Sequence, residues 1–194
     1  MMKTIVFSIA TAAIVLSACG NSNNDTKEAS KAADTAMTTT TAGNNATTQN
    51  ASVDEAVNAY LQLKNALTAD NGNDAATAGK QLHEAVLKLD NASFAADQKK
   101  VYDDVKDDIK EHAEHISTNA GKIAHQREHF DMLSKDMIDL VKVVKPSQTL
   151  YKDHCPMYND NKGADWLSEV KEIKNPYLGK KMPDCGEVKE EIKK

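Results

Sequence analysis

The distribution of proline divides this chain into two parts. All four prolines lie at position 146 or later, so residues 52–145 contain none. Because proline removes a backbone donor and clashes with the preceding helical turn, only the proline-free part is suited to long uninterrupted helices. The later part also holds the only tryptophan, Trp166, and two of the three cysteines. We therefore expect a helical domain followed by an ordered cap of a different kind.

Apolar residues recur at helical spacing in four segments of the proline-free part. The segments are about 53–70, 74–90, 95–118 and 122–144. In the fourth segment the inward positions alternate steps of three and four, which is typical of a heptad seam. Ser52, followed by Glu55, resembles a capping box that would start the first helix, and Ser93 is a candidate cap for the third.

Helices of this length joined by short turns favour antiparallel neighbours. The predicted fold class is all-α: an up-down antiparallel four-helix bundle over residues 52–146, with an irregular Pro- and aromatic-rich C-terminal cap over residues 147–188. Within the cap we expect short helical turns near 164–170. Residues 189–194 are expected to form a tail.

The N-terminus has the features of an export signal. Residues 1–18 contain one Lys and a short apolar run, and end in Leu-Ser-Ala before Cys19. The run is too short to span a membrane, and its end resembles a bacterial lipobox. We therefore predict a signal peptide over residues 1–18, lipidation of Cys19 and a disordered, polar tether over residues 19–51. The expected location is the outer membrane, facing the periplasm.

Charge and motifs exclude several function classes. The formal net charge is -5 for the whole chain, and removal of Lys3 with the signal peptide makes it -6. An acidic chain is poorly suited to bind nucleic acid, whose phosphates need basic neutralisation. No nucleotide-binding loop, nucleophile elbow or zinc-protease motif occurs in the sequence. We therefore expect neither a nucleic-acid partner nor an enzyme.

The cap concentrates residues that bind soft metals. It contains, in chain order, His154, Cys155, Met157, Met182 and Cys185. With Cys19 lipidated, the two remaining cysteines either form a disulfide, which would close a loop of about 30 residues and contribute roughly 3 kcal/mol, or stay reduced as metal ligands. The sequence leaves both alternatives open.

Histidines cluster in the predicted hairpin of the third and fourth helices. His112 and His115 are three residues apart in the third helix, and His125 and His129 are four apart in the fourth. Either spacing places both rings on one helix face. Because the intervening turn centres near residue 120, all four can lie level in an antiparallel hairpin. Exposed helix residues without a shared role are the alternative.

Arg127 is the only arginine in the chain. Its planar guanidinium is suited to bidentate pairing with a carboxylate or with carbonyl groups. Since it follows a seam position of the fourth helix, we expect it to tie the bundle to the cap; a solvated helix residue is the alternative.

Two groups of motifs together resemble a known family. They are His125-Gln126-Arg127-Glu128-His129-Phe130 with Leu133-Ser134, and, in the cap, His154-Cys155-Pro156-Met157, Trp166-Leu167-Ser168, Asn175-Pro176-Tyr177 and Cys185-Gly186. The family is an uncharacterised helical domain of bacterial periplasmic lipoproteins that is also found appended to CusB-like adaptor subunits of heavy-metal efflux pumps. The resemblance implies a link to copper and silver export.

Two functions are consistent with these features. In the first, His115, His125, His129, His154, Cys155, Met157, Met182 and Cys185 converge where the cap meets the hairpin and bind a copper or silver ion. The protein would sequester the ion or pass it to a heavy-metal efflux adaptor, because thiolate, thioether and imidazole groups suit copper. In the second, a disulfide-stapled cap and a rigid bundle form an interaction module of the cell envelope that binds no metal.

Overall fold

A computed structural model describes the backbone of residues 42–194, with side chains from residue 52 onward. Four long helices come first: α1 (Ala42–Thr68), α2 (Gly72–Lys88), α3 (Ala96–Thr118) and α4 (Ile123–Val144). Three strands follow: β1 (Leu150–Cys155), β2 (Ala164–Ser168) and β3 (Glu187–Ile192). A short helical turn at Tyr158–Asn161 and a 3-10 turn at Gly179–Lys181 lie between them. The predicted signal peptide, the Cys19 anchor and the tether up to residue 41 lie outside the described residues.

The four helices confirm the helical prediction, but α1 and α3 do not start where the sequence predicts. Helix α1 begins at Ala42, so residues 42–51 are helical rather than part of the tether, and Ser52 lies inside the helix instead of capping it. No proline in that segment stops a helix that continues toward the N-terminus. The N-cap of α3 is Ala95 rather than Ser93. In α2, by contrast, Asn71 caps the helix by accepting a hydrogen bond from the Asp74 amide at 3.2 Å.

The apolar faces of the helices meet in one core. Tyr60 of α1 stacks on Phe130 of α4 with ring centroids 5.2 Å apart, and both side chains are fully buried. The Tyr60 hydroxyl and the Ser134 hydroxyl are 2.7 Å apart, so the one polar atom of the Tyr60 side chain is hydrogen-bonded inside the core. Consecutive helices pack side by side, whereas α1 and α4 meet at few points and are bridged by the cap.

The C-terminal cap is not irregular: it contains a three-stranded antiparallel sheet with the order β2-β1-β3. The residues expected to form helical turns near 164–170 are mostly in strand β2, and the expected tail is mostly in strand β3. The sequence does not predict this sheet, because β1 does not alternate apolar and polar residues. Asp153 occupies a buried position in that strand, and a register shift between Lys152 and Asp153 interrupts the pairing with β3.

The sheet is held to the bundle by buried contacts on one side and is open on the other. Trp166 of β2 is fully buried, and the Leu167 amide donates to the Tyr60 hydroxyl at 3.1 Å. Lys64 of α1, whose side chain is fully buried, forms an ion pair with Glu169 at 2.7 Å. Strand β3 is an edge strand, and all but the last of its six residues are exposed.

Among the helices in the described part of the chain, none combines the length and the apolar character needed to cross a membrane.

Candidate metal centre

The hairpin of α3 and α4 brings the predicted histidines to one end of the bundle. The connecting turn spans residues 119–122 and includes Gly121, whose φ of 79° is a conformation that glycine adopts without strain. Gln126, fully buried at the first turn of α4, donates to the Ile116 carbonyl at 3.1 Å and to the Gly72 carbonyl at 2.9 Å. These bonds fix the start of α4 against the end of α3 and the start of α2.

His115, His125 and His129 form a cluster whose possible ligand atoms all lie within 4.8 Å of one another. The rings of His115 and His129 are stacked, with centroids 4.3 Å apart and an interplanar angle of 6°. The ring of His125 meets that of His129 edge-on at 4.6 Å. Across antiparallel helices, residues at equal distance from the turn come level, which places α3 and α4 rings in contact. We call these three residues the His triad.

The fourth histidine of the hairpin also joins the cluster. His112 lies one turn before His115, and its Nδ1 is 3.2 Å from Nδ1 of His129. Burial, more than any other influence, lowers the pKa of His112. The sequence places His112 level with His129, but only the structure shows that the two rings share a hydrogen bond.

The surroundings of His129 favour the neutral form of its imidazole ring. The pKa of His129 is lowered to about 4, first by burial and then by the positive charge that protonated His115, His125 and His112 would place beside it. A ring with this pKa is unprotonated at pH 7 and keeps a lone pair free for a metal ion. Nδ1 of His125 lies 3.1 Å from a Glu128 carboxylate oxygen, which orients that ring. Glu128 was not predicted, although a carboxylate three residues after a candidate ligand is a recognisable signal.

The cap residues lie elsewhere and form two separate arrangements. Cys155 is buried and Cys185 half-buried, and both are free thiols with sulfur atoms 3.3 Å apart. His154 points away from this pair because side chains alternate along a strand. Its Nδ1 is 2.7 Å from the Asp165 carboxylate. Met157 is exposed and Met182 half-buried.

The predicted convergence of cap and hairpin ligands is therefore wrong. Arg127 ties α4 to the cap: its Nε donates to the Pro176 carbonyl at 2.7 Å, and its guanidinium also pairs with Asp70 at 2.5 Å. Residues two apart on a helix are separated by about 200°. His125 and His129 each lie two residues from Arg127, so they project from the opposite side of α4. Within the described part of the chain, the three-residue group that could hold a metal ion is the His triad alone.

Comparisons with known proteins find one matching family model, and its description assigns no activity. Residues 56–149 match the family described as "Protein of unknown function (DUF3347)". The match covers the C-terminal half of α1, all of α2 to α4 and the segment up to β1. It agrees with the resemblance to an uncharacterised helical domain. No curated protein and no solved structure matches the chain.

Proposed function

We propose that this protein binds a late first-row transition-metal ion through the His triad of its DUF3347 domain. The observation that carries the proposal is the approach of three imidazole rings from two helices to within 4.8 Å at their possible ligand atoms. Imidazole suits zinc, copper and nickel, and copper(II) binds most tightly to a given set of nitrogen ligands. Copper is therefore the ion we propose first, and zinc is the main competitor.

The His triad is suited to an ion that enters and leaves. The side chains of His115 and His125 are 47% and 41% exposed, so solvent reaches both rings. Three protein ligands leave at least one coordination position open, whereas structural sites usually use four protein ligands. An exposed, incomplete site supports sequestration or hand-off of copper, and a heavy-metal efflux adaptor is the partner that we propose for the hand-off. A site of this kind does not favour an ion whose only role is to stabilise the fold.

The separation of the cap from the His triad changes the expected chemistry. Thiolate and thioether groups select copper(I) and silver, but Cys155 and Cys185 lie on the cap side of α4 and are not among the triad ligands. An all-imidazole site is less selective for these soft ions. We therefore propose copper(II) rather than silver for this site. Lipid anchorage through Cys19 in the outer membrane, facing the periplasm, remains part of the proposal.

Metal titration of the purified, metal-free chain tests the proposal. Copper(II) and zinc(II) are each titrated against a competing chelator, with wild type compared to a His125→Ala/His129→Ala double variant and to His83→Ala. His83 lies on α2, outside the cluster, and is the matched control. We expect the double variant to bind more than about 100-fold more weakly, because even second-shell changes cost about 10–100-fold, and His83→Ala to bind like wild type.

The same titration decides between metal binding and the alternative. If the double variant binds both ions as tightly as wild type does, the His triad is not the site. The protein would then be better described as an interaction module of the cell envelope.

A further inference from the structure

We propose that His112 is a positioning residue for the metal centre: it accepts a hydrogen bond from Nδ1–H of His129 and so directs Nε2 of His129 toward the metal ion. This inference rests on the proposed function, because it explains how one ligand of the His triad is held ready. It assigns a role to a histidine that is not itself a member of the triad.

The first step of the argument is the contact itself. The two Nδ1 atoms are 3.2 Å apart, and the ring centroids are 5.3 Å apart with an interplanar angle of 49°. A hydrogen bond between two imidazole nitrogens needs one protonated and one unprotonated nitrogen. Both rings are half-buried, and a neutral imidazole carries one proton on one of its two nitrogens, so one ring of this pair donates through Nδ1–H and the other accepts.

The second step fixes the direction of the bond. A metal ion needs an unprotonated nitrogen, and Nδ1 of His129 is already occupied by His112. If His129 donates through Nδ1–H, its Nε2 carries the free lone pair. If His112 donates instead, the proton of neutral His129 sits on Nε2 and blocks the nitrogen that is left for the metal. Only the first arrangement prepares His129 as a ligand.

The third step is the neighbouring ligand, which is held in the same way. Nδ1 of His125 lies 3.1 Å from Glu128, so a carboxylate engages Nδ1 and leaves Nε2 available. Ligating histidines usually donate their second ring N–H to such a partner, which fixes the tautomer and the ring orientation. His112 therefore acts on His129 as Glu128 acts on His125: each partner engages Nδ1 of the ligand and leaves Nε2 free for the metal ion.

Two substitutions at position 112 separate hydrogen bonding from packing. His112→Asn keeps an acceptor oxygen near the place of Nδ1, whereas His112→Leu fills the space without an acceptor. We expect His112→Leu to bind copper(II) and zinc(II) about 10–100-fold more weakly and His112→Asn to stay within about threefold of wild type. His83→Ala is again the control, and circular dichroism verifies that both variants fold.

Two spectroscopic measurements add readouts that a merely structural role would not change. Nitrogen-15 NMR of the metal-free wild type should show the proton of His129 on Nδ1, and His112→Leu should show a mixture of tautomers. X-ray absorption of the zinc-bound protein should count the same number of imidazole ligands in wild type and in His112→Leu.

Three results would overturn the inference. They are wild-type affinity in His112→Leu, a His129 proton on Nε2 in the metal-free wild type, or the loss of one imidazole ligand in His112→Leu, which would make His112 a ligand itself. The proposed function fails separately, when the His125→Ala/His129→Ala variant keeps its affinity.

Discussion

At the residue scale, Arg127 shows how one side chain connects three parts of the molecule. Its guanidinium donates to the Leu67 carbonyl at the end of α1, to Asp70 in the next turn and to Pro176 in the cap. The pairing lowers the pKa of Asp70, and the hydrogen bond from Arg127 is the main cause. A planar fork of donors can make these contacts together, whereas the single ammonium group of lysine cannot.

We expect Arg127→Lys to lower the free energy of unfolding by about 1–3 kcal/mol, because buried carbonyl acceptors would lose their donors. Urea unfolding followed by circular dichroism measures the change. Lys135→Arg, an exchange on the exposed part of α4, serves as the control and should lie within about 0.5 kcal/mol of wild type. An Arg127→Lys variant as stable as that control would contradict the described role.

Substitution of Gly179 tests the contact between the cap and the Arg127–Asp70 ion pair. Its φ is 54°, and a Cβ at this position would collide with the Asp70 carboxylate and the Arg127 guanidinium. We expect Gly179→Ala to destabilise the protein by at least about 1 kcal/mol, through backbone strain and displacement of the ion pair. Thermal unfolding measures it, and Gly121→Ala is the comparison: φ is also positive there, but the space is open. Equal losses in the two variants would show that the collision contributes nothing.

Asp153 is a buried carboxyl group whose oxygens have no hydrogen-bond partner in the described part of the chain. Burial is the main cause that raises its pKa from 3.8 to about 7, and nearby Lys64 opposes the shift. A raised pKa means that the folded state holds the proton more tightly than the unfolded state does. This contribution to stability is fully present below about pH 4 and is lost as the pH rises through about 7.

We therefore expect Asp153→Asn, which cannot ionise, to gain stability relative to wild type as the pH rises. The gain at pH 8 compared with pH 5 should lie between about 1 and 4 kcal/mol, because each pKa unit corresponds to about 1.4 kcal/mol. Urea unfolding of both proteins at the two pH values measures it. A difference between the proteins that does not depend on pH would show that Asp153 titrates normally.

At the element scale, the helices were predictable and the sheet was not. Residues 122–144 repeat apolar positions every three or four residues, and that periodicity alone predicts α4. Strand β1 instead buries Asp153 and leaves Lys152 and His154 half-buried, so no alternation of apolar and polar residues marks it. Its pairing with β2 and β3 depends on contacts between distant segments, which a local pattern does not contain.

The candidate site was predictable to the same extent. Histidine spacing within each helix and symmetry about the turn were enough to group His115, His125 and His129. Which side of α4 the cap covers depends on how Arg127 and Phe130 pack against Pro176 and Tyr177. The sequence places both groups at one end of the bundle but does not show that they face opposite directions.

The cap also contains a pair of thiols that can be joined. Cys155 ends β1, and Cys185 precedes β3, with sulfur atoms 3.3 Å apart. We expect the protein isolated from an oxidising compartment to contain a Cys155–Cys185 disulfide. Its free energy of unfolding should then be about 3 kcal/mol higher than that of the reduced form. Thiol titration of the unfolded, unreduced protein measures the bond. Two free thiols would contradict this expectation.

At the scale of the whole molecule, the His triad joins α3 to α4, so a bound ion should stabilise the entire fold. A ligand that binds only the folded state adds about 2.7 kcal/mol when its free concentration is 100 times its Kd. We expect copper(II) or zinc(II) to raise the Tm of wild type and removal of the ion by a chelator to reverse the change. The His125→Ala/His129→Ala variant should show no rise, and an equal rise in that variant would place the ion elsewhere.

The charged edge of the sheet has a consequence for how copies of this protein meet. Strand β3 contains four charged residues in six: Glu187, Lys189, Glu190 and Glu191. An exposed edge strand is a template on which a second chain can add by backbone hydrogen bonds, and charged side chains along it oppose such growth. The three acidic side chains form ion pairs with Lys142, Lys171 and Lys189, so the edge is lined with charged, solvated groups that a second β3 strand would have to accommodate. We therefore expect the edge that completes the sheet to disfavour edge-to-edge aggregation.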